Sequence, residues 1–300
     1  MKRENLFLGV ILTLLSCFIY GVQTVIIKFY SAALPPLPVL IFIQSITSFV
    51  LMLPFLANKT VLKNALVFND VPLHLLRTIF SLSISYMLFY AVTFVPLINA
   101  TLLVNTAPLF VPLFAYLFLS HKINHRLWFP LLLGFTGVVL VLHPASGDLH
   151  PALLLALGAG MCWASSMLSV RRLSMRNTTQ TITLYFALFS TIFSGVISIT
   201  FWEPISFFAL SVCVLLGVLY FLIQYTATWA LKHAGAQLFG VLSYSSVVYA
   251  SIFSIVFWQQ IPSYFMILGM VCIVMGGIMS ILVEYRKQSE QKGLETMSAS

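Results

Sequence analysis

The sequence predicts an all-α integral membrane protein of ten transmembrane helices, built as two inverted five-helix repeats with N- and C-termini cytoplasmic. Three observations predict it. Hydrophobic residues make up 60% of the chain and charged residues only 7%, too small a polar share to cover a water-soluble domain of 300 residues. Apolar stretches follow one another with short connections, and many approach the roughly 20 residues that a helix needs to cross a bilayer. Finally, fourteen of the fifteen Lys and Arg residues fall in alternate gaps between those stretches. Loops rich in Lys and Arg stay on the cytoplasmic side, so this alternation fixes both the number of spans and their direction.

The first stretch, 6–28, follows Lys2 and Arg3 as a secretory leader would, but it outruns a leader's apolar region and lacks a small-x-small cleavage site. It reads as the first span. The second, 37–57, starts after the turn signal Pro35-Pro36 and stops at Asn58. Spans three and four occupy 73–94 and 98–119, and span five, 127–143, ends at Pro144 with Gly147 beyond. Spans six to ten follow at 151–170, 181–201, 207–229, 236–257 and 262–283, with Glu203-Pro204 marking the turn after the seventh. The chain then divides into a first repeat, 6–143, a second repeat, 151–283, and a polar tail, 284–300, which reads as a frayed cytoplasmic end.

With the N-terminus inside, the inner side receives Lys2, Arg3, Lys59, Lys63, Arg77, Lys122, Arg126, Arg171, Arg172, Arg176, Lys232, Arg286, Lys287 and Lys292. The outer side receives Lys28, Asp148 and Glu203. The net charge of +8 is therefore a topology signal; the cations form no stripe interleaved with aromatics, and no nucleic-acid partner is expected. Two offsets relate the halves. A shift of 139 residues places Tyr86 on Tyr225, Ala91 on Ala230, Phe114 on Phe253, Phe118 on Phe257 and Gly137 on Gly276. A shift of 143 places Tyr20 on Trp163, Gly21 on Ala164 and Lys28 on Arg171. A repeat of five helices, an odd number, sends the second copy through the membrane in the opposite sense, an arrangement suited to alternating access around a site near the midplane.

The spans themselves limit the chemistry. All seven acidic residues lie in loops or termini, which argues against proton antiport through an intramembrane carboxylate. The six histidines sit at or beyond span ends, where each reads as an interfacial polar residue, and Cys17, Cys162, Cys213 and Cys272 lie singly in apolar stretches. No catalytic residue, metal site or cofactor is expected. The interior is read as uncharged polar groups and aromatics. Span four carries Thr101, Asn105, Pro108 and Pro112 on one helical face, and span nine a similar stripe of Gly240, Tyr244, Ser251 and Ser254. The candidate substrate-binding residues are Gln23, Gln44, Tyr86, Tyr90, Asn105, Trp163, Gln224, Tyr225 and Tyr244. The competing role for such side chains is hydrogen bonding between helices. Gly134 and Gly137 on span five face a second small-residue stripe, Gly269, Cys272, Gly276 and Ser280 on span ten, and close packing between those helices is expected.

The order and repetition of these features resemble the EamA-type drug/metabolite transporter superfamily over about residues 6–283. The resemblance is carried by Tyr20-Gly21 with Lys28, by the segment FYAVTFVPLINATLLVNTAPLFVPLFAYLFLSHKIN, and by its counterpart TWALKHAGAQLFGVLSYSSVVYASIFSIVFWQQIP, with Gly137 and Gly276 following. Three positions depart from the family pattern: His121 and Gln260 stand where Glu is common, and Val247 where Pro is usual. The resemblance implies ten helices in two repeats and a metabolite carrier of the cell inner membrane.

The leading functional expectation is a secondary transporter, facilitator or exchanger, for a small polar or zwitterionic metabolite such as an amino acid or an adenosyl/purine compound. No GxxxxGK[ST] motif supports ATP-driven transport by this chain alone. The alternatives are an integral-membrane lipid-modifying enzyme, for which only His121 and His125 offer paired chemistry, and a non-transporting partner subunit. The expected partners are the lipid bilayer and a small-molecule metabolite, and a homodimer is one arrangement open to such a chain. Lys28 and Arg171, paired by the repeat, are the candidate gate residues.

Overall fold

The computed structural model describes residues 6–57, 70–119, 126, 128–142, 150–259 and 262–298. The expectations for Lys2, Arg3, Glu4, Asn58, Lys59, Lys63, His121, Lys122, His125, His143, Pro144, Gly147, Asp148 and Gln260 lie outside these residues. Regular structure among the described residues is helical throughout. We number the α-helices α1 (Leu6–Phe29), α2 (Leu37–Met52), α3 (Val71–Phe94), α4 (Leu97–Val104), α5 (Ala107–Leu119), α6 (Trp128–Leu142), α7 (Pro151–Ser174), α8 (Thr179–Ser198), α9 (Phe207–Ser243), α10 (Ser245–Trp258) and α11 (Tyr264–Ser298). Short 3-10 turns, Leu53–Ala57 and Ile199–Phe201, extend α2 and α8.

Among the described residues, six segments are long and apolar enough to cross a membrane: Phe7–Phe29, Leu37–Ala57, Val71–Phe94, Pro151–Ser174, Thr179–Phe201 and Phe207–His233. Four shorter apolar helices accompany them, Asn99–Val111, Trp128–Leu140, Ser245–Trp258 and Tyr264–Met279. Helix starts follow local chemistry. Proline in the first turn of α2, α3 and α7 supplies a fixed φ where no N–H partner is needed. The Thr178 side chain accepts from the Thr181 N–H to cap α8, and His150 Nδ1 accepts from the Ala152 N–H to cap α7.

Three features differ from the sequence expectation. The span expected at 98–119 is broken after Val104. Pro108 has no N–H to give the Val104 carbonyl, and the chain turns there with Asn105 Nδ2 donating to the Thr101 carbonyl and Thr106 Oγ1 to the Leu103 carbonyl. Secondly, helix continues through the loop expected at 230–235, because no proline or turn pair interrupts it, and breaks at Tyr244 instead. Asn105 and Tyr244 are the positions that the 139-residue offset superimposes. Lastly, the tail is not frayed: α11 runs on to Ser298 through a segment rich in the helix formers Glu, Gln, Lys and Arg.

The helices pack chiefly as α1 on α9, α3 on α7, α2 on α8 and α6 on α11. Exchanging the two halves converts the first pair into the second and each of the others into itself. Large apolar side chains remain outside, among them Phe7, Ile199 and Phe207 at 75%, 75% and 87% exposure. Water would penalise so extensive an apolar surface, whereas lipid tails accommodate it. The α6–α11 seam is backbone on backbone. A Cβ on Gly137 would lie 2.6 Å from the Gly269 carbonyl oxygen, and one on Gly276 would lie 2.6 Å from that of Pro130. This is the close approach that the two glycine stripes predict.

Candidate functional site

A cavity of about 1000 Å³, counting the part open to solvent, lies between α1, α3, α7 and α9, with Val104 and Ser246 reaching it beside the two helix breaks. Each helix contributes a limited arc. α1 gives Ser16, Cys17, Tyr20 and Gln23; α3 gives positions from Arg77 to Phe89; α7 gives Trp163 to Val170; α9 gives Tyr220 to Leu231 and then Phe239. Nothing in the first twelve residues of α7 or the last five of α3 lines it. The cavity therefore runs from the middle of the bundle toward the end where α3 begins and α7 stops. Those two ends are tied by Asp70, which accepts from Asn177 Nδ2 at 3.1 Å and lies 3.8 Å from the Arg176 guanidinium.

The opposite end is held by Lys28. Its Nζ donates to the Val95 carbonyl at 3.2 Å and stands 5.1 Å from the centre of the Trp258 ring, so one side chain joins α1, the turn after α3 and the end of α10.

Arg77 overturns the reading of an uncharged interior. Counted by sequence among the loop cations, it is only 2% exposed and faces the cavity. Nη1 donates to the Ile182 carbonyl at 2.9 Å and Nη2 to Gln224 Oε1 at 3.1 Å, while the guanidinium carbon sits 4.5 Å from the centre of the Phe186 ring. A helix in water would let this arginine snorkel outward; here two acceptors and an aromatic face on α8 and α9 hold it inward. The signal was present in the sequence. Arg77, Ser81 and Ser85 recur at i, i+4 and i+8, one face of α3. His74, one turn earlier, is also buried, stacked on Tyr185 with centroids 4.5 Å apart.

Polar groups on the cavity wall bridge the halves. Ser81 and Ser166 share a 2.9 Å hydrogen bond between α3 and α7, and Gln23 Nε2 donates to the Leu216 carbonyl at 3.3 Å between α1 and α9. The Tyr20 hydroxyl and Arg77 Nε are buried without a hydrogen-bond partner. Buried donors left in this way cost stability unless water or a ligand meets them.

Of the sequence-derived candidates, the cavity brings together Gln23, Trp163 and Gln224. The other six sit elsewhere. Gln44 is buried in α2, Tyr86 is half-buried on α3, and Tyr90 points outward against Phe94 at 49% exposure. Asn105 and Tyr244 occupy the two helix breaks, and Tyr225 packs among Phe55, Phe221 and Trp229. Arg171 is exposed in the last turn of α7, away from the cavity wall. Among the described residues no three His, Cys, Asp or Glu side chains gather as metal ligands.

The sequence profile of the EamA-like transporter family matches this chain twice, at residues 7–143 and 150–282. The pseudopaline exporter CntI of Pseudomonas aeruginosa (strain UCBPP-PA14) is 27% identical over 272 residues, covering 90% of this chain and 94% of the exporter. The S-adenosylmethionine uptake transporter of Rickettsia prowazekii is 24% identical across 94% of this chain and 95% of its own length. A riboflavin transporter of Vibrio cholerae is 29% identical over 162 residues, 54% of each chain. A solved crystal structure superposes with a TM-score of 0.65 at 20% identity, covering 94% of this chain and 99% of that one, a likeness of fold.

Proposed function

The chain belongs to the EamA-like transporter family, and from that premise we propose that it is a secondary carrier working by alternating access. It is a multi-pass membrane protein that transports a small molecule, and it is not an enzyme. The finer reading is a facilitator or exchanger of a small polar or zwitterionic metabolite, placed in the cell inner membrane with both termini cytoplasmic. Its body is ten spans in two inverted five-helix repeats, 6–143 and 151–283.

One observation carries this reading: a single cavity walled in equal measure by both halves, α1 and α3 from one, α7 and α9 from the other. Three further features support it. The family profile matches the two halves separately, and the helix packing is preserved when the halves are exchanged. The breaks at Asn105 and Tyr244 also fall at matching positions, as in carriers whose sites are built on discontinuous helices. Gln23, Trp163 and Gln224 are proposed as substrate contacts, joined by Tyr20 and Arg77. Asn105 and Tyr244 are proposed as hinge positions, and Lys28 as the gate at the closed end. Gln44, Tyr86, Tyr90 and Tyr225 are assigned to packing. Arg171, outside the wall, is assigned to the inner rim.

The relatives are named for the export of one metabolite and the uptake of another, and polar metabolites match the cavity's mixture of aromatic, amide and hydroxyl groups. The test is counterflow in proteoliposomes of the purified chain, using labelled S-adenosylmethionine, riboflavin and a mixture of amino acids. Saturable uptake that depends on internal unlabelled substrate is the expected result. Uptake that instead follows an imposed proton gradient, with no internal substrate, contradicts the facilitator or exchanger reading.

A further inference from the structure

Arg77 has the geometry of a receptor for a charged group, not only of a strut. A guanidinium carries five N–H donors, and the two acceptors within the protein, Ile182 O and Gln224 Oε1, each take one. Nε is buried and unpartnered on a residue that lines the cavity. Among the described residues no Asp or Glu lines the cavity, and the wall they form holds a cation without a counter-ion. A buried charge left in that condition is expensive, and the cost is removed when an anion of complementary shape enters.

From these observations we propose that Arg77 is the anion subsite of the cavity and takes a carboxylate of the transported molecule. This rests on the carrier reading above and narrows its substrate class. Carboxylate is favoured over phosphate by charge balance. One carboxylate neutralises one guanidinium, whereas a phosphate monoester at neutral pH brings a charge of about −1.5 to −2 into a site with a single cation. The carboxylate meets the Nε edge of the fork, because Gln224 and Ile182 already engage Nη2 and Nη1. Gln224 and Phe186 fix the plane of the fork, acting as positioning residues. The rest of the bound molecule then extends along the wall toward Trp163 and Tyr20, where the unpartnered Tyr20 hydroxyl offers a second polar contact.

The test uses the purified full chain in detergent or nanodiscs and reads its thermal unfolding midpoint against added benzoate, benzamide and inorganic phosphate. Benzoate and benzamide share a ring and a planar head and differ in charge. The expected result is saturable stabilisation by benzoate with an apparent affinity about tenfold above that of benzamide, and loss of that preference in Arg77→Gln. Equal effects of the two probes, no effect of either, or stronger stabilisation by phosphate overturns the carboxylate assignment. Should Arg77→Gln not fold, the wild-type comparison still decides. Benzoate selectivity without counterflow leaves the subsite standing and removes the carrier reading, so the two failures are separable.

Discussion

Replacing Lys28 with methionine keeps the apolar stem and deletes both contacts of its ammonium. The first is the 3.2 Å hydrogen bond to the Val95 carbonyl, a charge-assisted bond contributing about 1.5 kcal/mol net. The second is the cation over the Trp258 ring at 5.1 Å, contributing about 0.5 kcal/mol for a half-buried group. If both are made only while that end of the bundle is closed, their loss shifts the open–closed balance by about 2 kcal/mol, or about 30-fold. Cys17 lines the cavity and serves as a native reporter. In a Cys162→Ala, Cys213→Ala, Cys272→Ala background, a membrane-impermeant anionic methanethiosulfonate is applied separately to each face of oriented vesicles. With Lys28 intact, Cys17 should react mainly from the face where α3 begins. Lys28→Met should raise the rate from the other face by up to about 30-fold. Rates within about twofold of the Lys28 background, in a folded protein, would falsify the gate.

Further outcomes follow from local geometry. Gly137→Ala and Gly276→Ala each force a Cβ to 2.6 Å from a carbonyl oxygen, so the α6–α11 seam must open and stability should fall by about 1–3 kcal/mol in thermal unfolding. Gly158→Ala, 3.4 Å from Met87 Sδ, should leave the midpoint unchanged. Gly160→Ala meets the Leu103 carbonyl oxygen at 2.8 Å, directly at the break between α4 and α5, and should lower counterflow more than it lowers the midpoint. Gln224→Leu strips an acceptor from Arg77 and should destabilise by about 1–3 kcal/mol, partly restored by benzoate. Asp70→Asn should change stability by less than about 1 kcal/mol, since Arg176 is 79% exposed and the pair is screened.

The sequence resolved what depends on length and periodicity and missed what depends on rotation about a helix axis. Apolar run length placed the starts of α1, α2, α3, α7 and α9 within about two residues, because every unpaired backbone group in lipid must be closed within a helix. The glycine stripes named both sides of the α6–α11 seam for a similar reason: where side chains are absent, only close approach fills the space. Arg77 was hidden by an ambiguity of position. Seven residues into α3, it is near enough to the helix start to count as a loop cation, and charge alone does not say which way the side chain turns. Gln44 and Gln224 show the same limit from the other side. Both are amides in apolar spans, yet only Gln224 faces the cavity; Gln44 is 1% exposed with Nε2 lacking a partner. The breaks were half legible. Pro108 marks the first, but nothing comparable follows Tyr244, where Val247 stands and the turn closes through the Val247 N–H to the Tyr244 carbonyl.

The glycine seam between α6 and α11 has a mechanical consequence. Side chains that interlock across a helix pair must change rotamer before the helices can roll, and each such change is a small barrier. Gly137 and Gly276 have no rotamers, so at these points the contact neither loses side-chain entropy when made nor offers teeth that must disengage. If alternating access moves the two halves against each other, this seam acts as a plain bearing: it bears load through backbone contact and contributes little friction. The resistance that times the cycle then belongs to contacts that must be broken, above all the Lys28 clasp at the closed end.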